Sequence, residues 1–315
     1  MKTILVTGGA GYIGSATVKV LLAKNYDVVV VDNLSHGKKS MVDKKAKFYR
    51  LDLAKDNLNE VFKDNKIDAV IHFAAYKSIE ESMENPEKYE DNIIGTINLL
   101  DMMIKYKVKK IIYSSSAAVY GEHEGVADEK TETRPTNYYG VTKLECEDII
   151  KDYSDEYNIL YICLRYFNVA GDAGLNYVDK GAKNIFPIIM DVVFGKRKEL
   201  EIFGNDYDTR DGTCIRDYID INDLVEAHIL ALDVDYKGVI NLGTSNGITV
   251  KELISFSEEV VGKKIKTINS PKRKGDVAVS IASNKKAKKI LNWQPKKNVK
   301  EMIKSTFEAY KSFFS

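Results

Sequence analysis

The chain has 315 residues, 44% of them apolar and 30% charged, which is enough to bury a large core while staying soluble. Lys+Arg 47 against Asp+Glu 46 leaves a net charge of +1, which argues against nucleic acid or an anionic membrane surface as the main partner. No run approaches the roughly 18 apolar residues of a membrane span, and no apolar leader of about 7–15 residues precedes the first strand-like run, so a cytoplasmic protein is expected.

Strands are expected at Lys2–Val6, Asp27–Val31, Lys47–Arg50, Asp68–Phe73, Lys109–Ser114 and Leu160–Arg165. Helices are expected to start near Tyr12, Asp56, Pro86 and Tyr138 between them. The run Val28-Val29-Val30-Val31 suits a strand covered on both faces. Alternation of this kind predicts an α/β fold with a doubly wound parallel sheet of Rossmann type. After Arg165 the rhythm breaks. Residues 168–217 are rich in Gly, Asn and Asp, with one helix expected near Ile185–Phe194. Regular elements return at Asp220–Leu232, Val239–Leu242 and Val250–Val261, and a final helix is expected near Val299–Phe313. A smaller C-terminal domain, interleaved with the first, follows from this pattern. The three cysteines and four histidines lack metal-ligand spacing, so packing thiols in a reducing cytosol and no metal are expected.

Gly8-Gly9-Ala10-Gly11-Tyr12-Ile13-Gly14 joins the first strand to the first helix. Glycines at 8, 11 and 14 permit a sharp turn and let a pyrophosphate approach the backbone, with the helix N-terminus presenting unpaired N–H groups. Asp32 ends the second strand, 18 residues after Gly14, where a carboxylate accepts hydrogen bonds from both ribose hydroxyls of NAD and repels a 2′-phosphate. Together these predict an NAD site.

Tyr139 and Lys143 stand at i and i+4, on one helix face. Making tyrosine a base near neutrality requires roughly 4 kcal/mol of differential stabilisation. One lysine charge at ~4 Å supplies that order of energy at an effective dielectric constant of about 20. Ser114-Ser115-Ser116 ends the fifth strand, where ligands sit in an open α/β sheet. A hydroxyl there can hold the substrate oxygen that the tyrosine deprotonates.

The glycine loop, the serine triplet and Tyr139-x-x-x-Lys143 resemble those of the extended short-chain dehydrogenase/reductase family. Within it, the chain is similar along nearly its whole length to the UDP-hexose 4-epimerase branch. The resemblance is carried by Asp32-Asn33-Leu34, His72-Phe73-Ala74-Ala75, Leu164-Arg165-Tyr166-Phe167-Asn168, Phe203-Gly204-Asn205-Asp206-Tyr207 and Asp211-Gly212-Thr213-x-x-Arg216-Asp217-Tyr218. It implies Tyr139 as general base and acid at the sugar O4, Lys143 as its electrostatic partner and Ser116 as the hydrogen-bonding hydroxyl. NAD contacts are implied for Gly8, Gly11, Tyr12, Ile13, Gly14, Asp32, Asn33, Leu34, Asp52, Leu53, Phe73, Ala74, Ala75, Lys77, Asn92, Ser114, Tyr139, Lys143, Tyr166 and Phe167. Asn92-Ile93-Ile94-Gly95 is one residue short of the family's Asn-Asn-x-x-Gly pattern. The UDP-sugar is implied to meet Lys77, Ser116, Tyr139, Asn168, Asn184, Ile185, Ile202, Phe203, Arg216, Arg273, Asp276 and Ser280.

On this reading residues 1–167 form the NAD-binding domain, with returning segments near 215–245, and 168–315 mainly hold the UDP-sugar. Only seven of the 47 basic residues are arginine. Arg216 and Arg273 then read as forks placed for a diphosphate. The resemblance implies interconversion of UDP-galactose and UDP-glucose through a 4-keto intermediate with tightly bound NAD. The small Ser280, after Arg273-Lys274-Gly275-Asp276, implies room for the N-acetyl group of UDP-GlcNAc and UDP-GalNAc. Rival readings are a nucleotide-sugar 4,6-dehydratase, a decarboxylase or 2-hydroxy reductase, and a non-catalytic NAD sensor. The dehydratases carry a Thr-Asp-Glu run where this chain has Ser116-Ala117-Ala118, and a sensor would tend to lose Tyr139 or Lys143. The resemblance also implies a homodimer packed on the helices near Pro86–Tyr106 and Tyr138–Tyr157.

Overall fold

The computed structural model describes residues 1–123, 125–178, 184–273 and 276–314. Lys274 and Gly275 of the Arg-x-Gly-Asp stretch therefore lie outside the described residues. In chain order the first half contains β1 (Thr3–Thr7), α1 (Tyr12–Ala23), β2 (Asp27–Val31), β3 (Lys47–Tyr49), α2 (Asn59–Lys63) and β4 (Ala69–His72). It continues with α3 (Ile79–Glu84), α4 (Pro86–Lys105), β5 (Lys110–Ser116), β6 (Val126–Ala127), α5 (Tyr138–Tyr157) and β7 (Leu160–Tyr166). The second half contains β8 (Asn168–Ala170), α6 (Ile185–Val193), β9 (Leu200–Phe203), β10 (Ile215–Asp220), α7 (Ile221–Ala231) and β11 (Gly238–Leu242). It ends with β12 (Gly247–Thr249), α8 (Val250–Val261), β13 (Thr267–Ser270), β14 (Val279–Ala282), α9 (Lys285–Leu291) and α10 (Val299–Phe314).

The main sheet has seven strands in the order β11-β7-β5-β4-β1-β2-β3. Every pairing in it is parallel. Strand order reverses at the β1–β4 junction, so the connections leave a crevice at the carboxyl ends of these two strands. Alternate strand residues feed two cores. Ile4, Val6, Val28 and Val30 pack on one face with α1 and α7, while Leu5, Val29, Ile111 and Tyr113 pack on the other with α4 and α5. That double burial is why the valine run of β2 is apolar throughout.

The catalytic-helix candidate α5 has well-defined ends. Asn137 accepts a hydrogen bond from the Gly140 N–H (2.9 Å) at its start, and Asn158 closes it in the left-handed region (φ 53°). α8 begins with a capping box between Thr249 and Glu252 and stops at Gly262 (φ 72°).

Several boundaries differ from the sequence expectation. β5 runs on to Ser116, because its ladder with β7 continues through Ser114↔Leu164, Ser115↔Arg165 and Ser116↔Tyr166. The helix expected near Asp56 starts at Asn59, and the extra helix α3, capped by Ser78, precedes Pro86. β8, β9, β10, β12, β13 and β14 build two smaller sheets with β6. These strands have only two to six residues and find partners far away in the chain, so no local periodicity marks them. No described helix is long and apolar enough to cross a membrane.

Two imidazoles are sealed inside this fold. His72 accepts from the Thr7 hydroxyl at Nδ1 (2.6 Å) and donates from Nε2 to Thr96 Oγ1 (3.0 Å), which itself donates to the Asn92 carbonyl. His228 donates from Nδ1 to the Leu224 carbonyl (2.9 Å), and its buried Nε2 has no partner. Burial lowers them to about 3 and about 4, with the Lys143 charge adding to the effect on His72. Both folded-state values lie below the unfolded one, so the stability they confer is complete above the unfolded pKa and declines as the pH falls below it. Between about pH 7.5 and about pH 5.5, each imidazole should cost about 1.4 kcal/mol of unfolding free energy. Guanidinium unfolding at the two pH values checks this: a drop of about 2.8 kcal/mol is expected for the two together, with about half of it gone in His228→Leu, and a flat profile would contradict neutral burial.

Candidate active site

The crevice at the β1–β4 junction is a cleft whose floor is the glycine loop. Gly8 has φ 69°, and a Cβ there would sit 2.7 Å from the Ala74 nitrogen. A Cβ on Gly14 would lie 2.2 Å from the Gly8 carbonyl oxygen, so the loop and the start of α1 close up only because both are glycine. Gly11 caps α1 without a side-chain hydrogen bond, and no acidic residue stands in the first turn. The N–H groups and the positive end of the helix dipole therefore face the cleft ready for an anion, which is what a pyrophosphate requires.

Asp32 lies at the end of β2, where its Oδ2 accepts from the Ala10 N–H (3.0 Å) and its Oδ1 from the Leu34 N–H (2.8 Å). The loop is thus tied to the residue expected to select the ribose. Asn33 donates to Asp52 Oδ2 (2.9 Å), which fixes the neighbouring wall. Gly8, Gly11, Tyr12, Ile13, Gly14, Asp32, Asn33, Asp52, Leu53, Phe73, Ala74, Ala75 and Lys77 all line this half of the cleft. Leu34 does not. Its side chain packs against the core from a left-handed backbone (φ 63°). The donors and contours of this half fit a dinucleotide.

Asn92 also lines the cleft, and no residue is missing before it, since Asp91 occupies the place of the first Asn in the family pattern. Its carboxamide accepts from the Tyr76 N–H (2.8 Å) and donates to the Tyr76 carbonyl (3.1 Å). It clips the loop after β4 to α4, a positioning task that the sequence pattern does not reveal.

At the other end of the cleft stand Ser114, Ser116, Tyr139, Lys143, Tyr166, Phe167, Asn168 and Asn184. Lys143 is 2% exposed and donates to the Ser114 carbonyl (2.7 Å). Its ammonium lies over the Tyr113 ring (4.8 Å) and 5.9 Å from the centre of the Tyr139 ring. Burial pulls this lysine down to about 8, against neighbouring Cys146, Glu147 and Cys163, which hold it up. Burial pushes the Tyr139 phenol up, and the Ser116 hydroxyl hydrogen-bonded to it pulls in the other direction. The protein alone therefore keeps Tyr139 protonated. Lys143 is anchored to the strand through the Ser114 carbonyl, and the Ser116 hydroxyl is the group that lowers the phenol within the chain. Ser114 and the Tyr166 hydroxyl share a hydrogen bond of 2.5 Å across the β5–β7 register.

The remaining sugar-site candidates are not on this cleft. Phe203, Arg216, Arg273 and Asp276 cluster on the smaller sheets. Arg273 Nε donates to Asp276 Oδ2 (2.8 Å), and its guanidinium lies 4.6 Å from the centre of the Phe203 ring. Arg216 sits 3.7 Å from Asp276 Oδ1 and donates to the Val277 carbonyl (2.8 Å), while Ser280 pairs with Arg216 across β10 and β14. Ile202 is buried in the core there, and Ile185 packs against it. Asn168 connects the two regions by donating to the Asp217 carbonyl (3.0 Å).

Among the wall residues that sequence reasoning missed are His72 and Tyr177. His72 lines the cleft next to Lys143, and its place at the end of β4 was a usable signal. Tyr177 stacks on Tyr12 (4.9 Å), whose hydroxyl donates to the Gly171 carbonyl (2.5 Å), and no local pattern marks that contact.

Comparison with known proteins follows the same geometry. A protein named UDP-glucose 4-epimerase from Lacticaseibacillus casei is 44% identical over 93% of this chain and 92% of its own length. A crystal structure of a UDP-glucose 4-epimerase superposes with a TM-score of 0.95 at 42% identity, covering 99% of this chain and 98% of the other. The Bifidobacterium longum UDP-glucose 4-epimerase, solved in complex with NAD+ and UDP, gives a TM-score of 0.91 at 38% identity, over 99% of this chain and 98% of its own. Residues 4–243 match the NAD dependent epimerase/dehydratase family, and the chain belongs to that family.

Proposed function

We propose that the chain is a UDP-glucose 4-epimerase that interconverts UDP-galactose and UDP-glucose with NAD retained in the cleft. The observation that carries this reading is the junction of two halves in one crevice: a glycine cradle with a free helix end, and Tyr139, Lys143 and Ser116 beside it. Ser116 is followed by Ala117 and Ala118, so no carboxylate stands where a dehydratase would need one to expel water.

NAD, held by the glycine loop, Asp32 and Asn33, would supply an acceptor and donor of hydride. Tyr139 would take the O4 proton as the 4-keto sugar forms and give it back as the alcohol is restored. Ser116 holds the same oxygen, and Lys143 supplies the positive charge that favours the phenolate. Proton and hydride both return to the substrate, so the reaction is redox-neutral and NAD need not leave. The family resemblance assigns Arg216, Arg273 and Asp276 to the UDP-sugar end, with Ser280 beside Arg216 and Asn168 and Asn184 between the two regions. Residues 1–167 with the returning segments near 215–245 would then hold NAD, and 168–315 mainly the UDP-sugar. β11 supports the division from one side, since it completes the main sheet from the second half of the chain.

A homodimer through α4 and α5 agrees with the apolar side chains left exposed at Ile94 on α4 and at Ile79 and Met83 on α3. Three buried free thiols suit a reducing, cytoplasmic setting.

Incubation of the purified protein with UDP-galactose or UDP-GalNAc, without added NAD, should give both C4 epimers of each. Conversion of UDP-galactose alone would remove the broad specificity, and conversion of neither, even with NAD, would remove the epimerase reading. Ser280→Tyr should suppress the N-acetyl reaction and spare the other, whereas equal loss of both would separate Ser280 from the sugar pocket. Tyr139→Phe should lower kcat by about 10²–10⁴ with little change in KM, the range expected for loss of a general acid–base group. An unchanged kcat would remove Tyr139 from the acid–base role.

A further inference from the structure

One turn beyond Lys143 on the same face of α5 lies Glu147. Its carboxylate receives Arg165 Nε (2.9 Å) and Nη2 (2.5 Å) in a forked pair, and the Ser115 hydroxyl donates to it as well. The two charged side chains are 4% and 6% exposed. Glu147 belongs to α5, Ser115 to β5 and Arg165 to β7, and the last two are direct neighbours in the ladder. Strand alternation puts Ser115 and Arg165 on the α5 side of the sheet. Ser114 and Tyr166, one residue away on each strand, join on the other side. Arg165 also lies 4.9 Å from the centre of the Tyr120 ring, whose hydroxyl donates to Asn241 on β11 (2.6 Å).

A buried ion pair is a poor device for stability alone, because apolar side chains of similar size commonly do as well or better in its place. It does fix geometry. A planar fork meeting a carboxylate tolerates little rotation or sliding. Here that constraint acts between the helix carrying Tyr139 and Lys143 and the strands carrying Ser114 and Ser116.

We propose that Glu147, gripped by Arg165 and Ser115, is a positioning residue for the reaction: it sets the rotation and height of α5 over β5 and β7 and faces Lys143 with a buried negative charge. The proposal rests on the epimerase reading. Lys143 is faced by Glu147 and Cys146 from its own helix, Tyr139 one turn before, Tyr113 from β5, His72 from β4 and Cys163 from β7. Glu147 is the carboxylate among them, and it favours the charged lysine.

The test is steady-state epimerisation of UDP-galactose by the full-length protein, as a function of pH, with thermal unfolding alongside. In Glu147→Gln, kcat should fall at least about tenfold with KM within about twofold, the signature of an interaction realised in the transition state. The alkaline limb of kcat should also move to lower pH, since Lys143 loses its counter-charge. Glu147→Gln leaves Arg165 buried without a counter-charge and is expected to unfold more easily. The double variant Glu147→Met with Arg165→Met removes that penalty, so its unfolding temperature should recover towards the parent's while kcat stays low and the limb stays shifted. Recovery of kcat and of the parent pH profile in the double variant would overturn the positioning role and reduce the pair to packing. Parent turnover with an unchanged Glu147→Gln profile would overturn this inference alone, and absence of parent turnover would overturn the epimerase reading and this inference with it.

Discussion

An ammonium buried at the bottom of a cleft is the interaction on which the rest of this site depends. Lys143 is nearly sealed from water, and burial pulls it down to about 8. The fold answers with the Ser114 carbonyl, the face of Tyr113 and the carboxylate of Glu147. Each belongs to an element locked by the parallel ladder or by α5 packed upon it. The same low-polarity surroundings raise the Tyr139 phenol, so the protein alone leaves it protonated. A base that is inactive before the complex assembles is well suited to chemistry in which proton and hydride must move together.

The second half of the molecule is fastened to the first by polar contacts around the glycine loop. The Tyr12 hydroxyl donates to the Gly171 carbonyl, and Lys19 donates to the carbonyls of Ala173 (2.9 Å) and Gly174 (3.0 Å). On the far side Asp217, completely buried, accepts from the N–H groups of Thr244, Ser245 and Ala282, so one carboxylate joins β10 to β14 and the turn after β11. Its pKa is raised by burial and lowered by these hydrogen bonds. Arg216 and Ser280, the neighbouring pair on β10 and β14, are held in register by this knot.

The main sheet and the cofactor half of the cleft were legible in the sequence. Apolar runs such as Val28–Val31 and the glycine spacing after β1 report local requirements, namely double burial and a turn that only glycine permits. The reacting trio was legible by spacing, but its electrostatics were not: spacing cannot show that Lys143 reaches the Ser114 carbonyl or that Asn92 is occupied by the Tyr76 backbone. The short strands of the second half stayed hidden because their partners lie scores of residues away, as with Ile215↔Val279. The family resemblance implies a NAD contact at Leu34, and its side chain packs against the core from a left-handed backbone, which no sequence pattern announces.

The central claim is that the hydrogen on C4 leaves as hydride and returns to the same sugar without meeting water. UDP-galactose carrying deuterium at C4, converted in ordinary water and analysed by mass spectrometry and NMR, tests it most directly. The account predicts UDP-glucose that keeps its deuterium at C4, with none lost to solvent. Product bearing solvent hydrogen at C4 would contradict it and would require proton abstraction from carbon in place of hydride transfer.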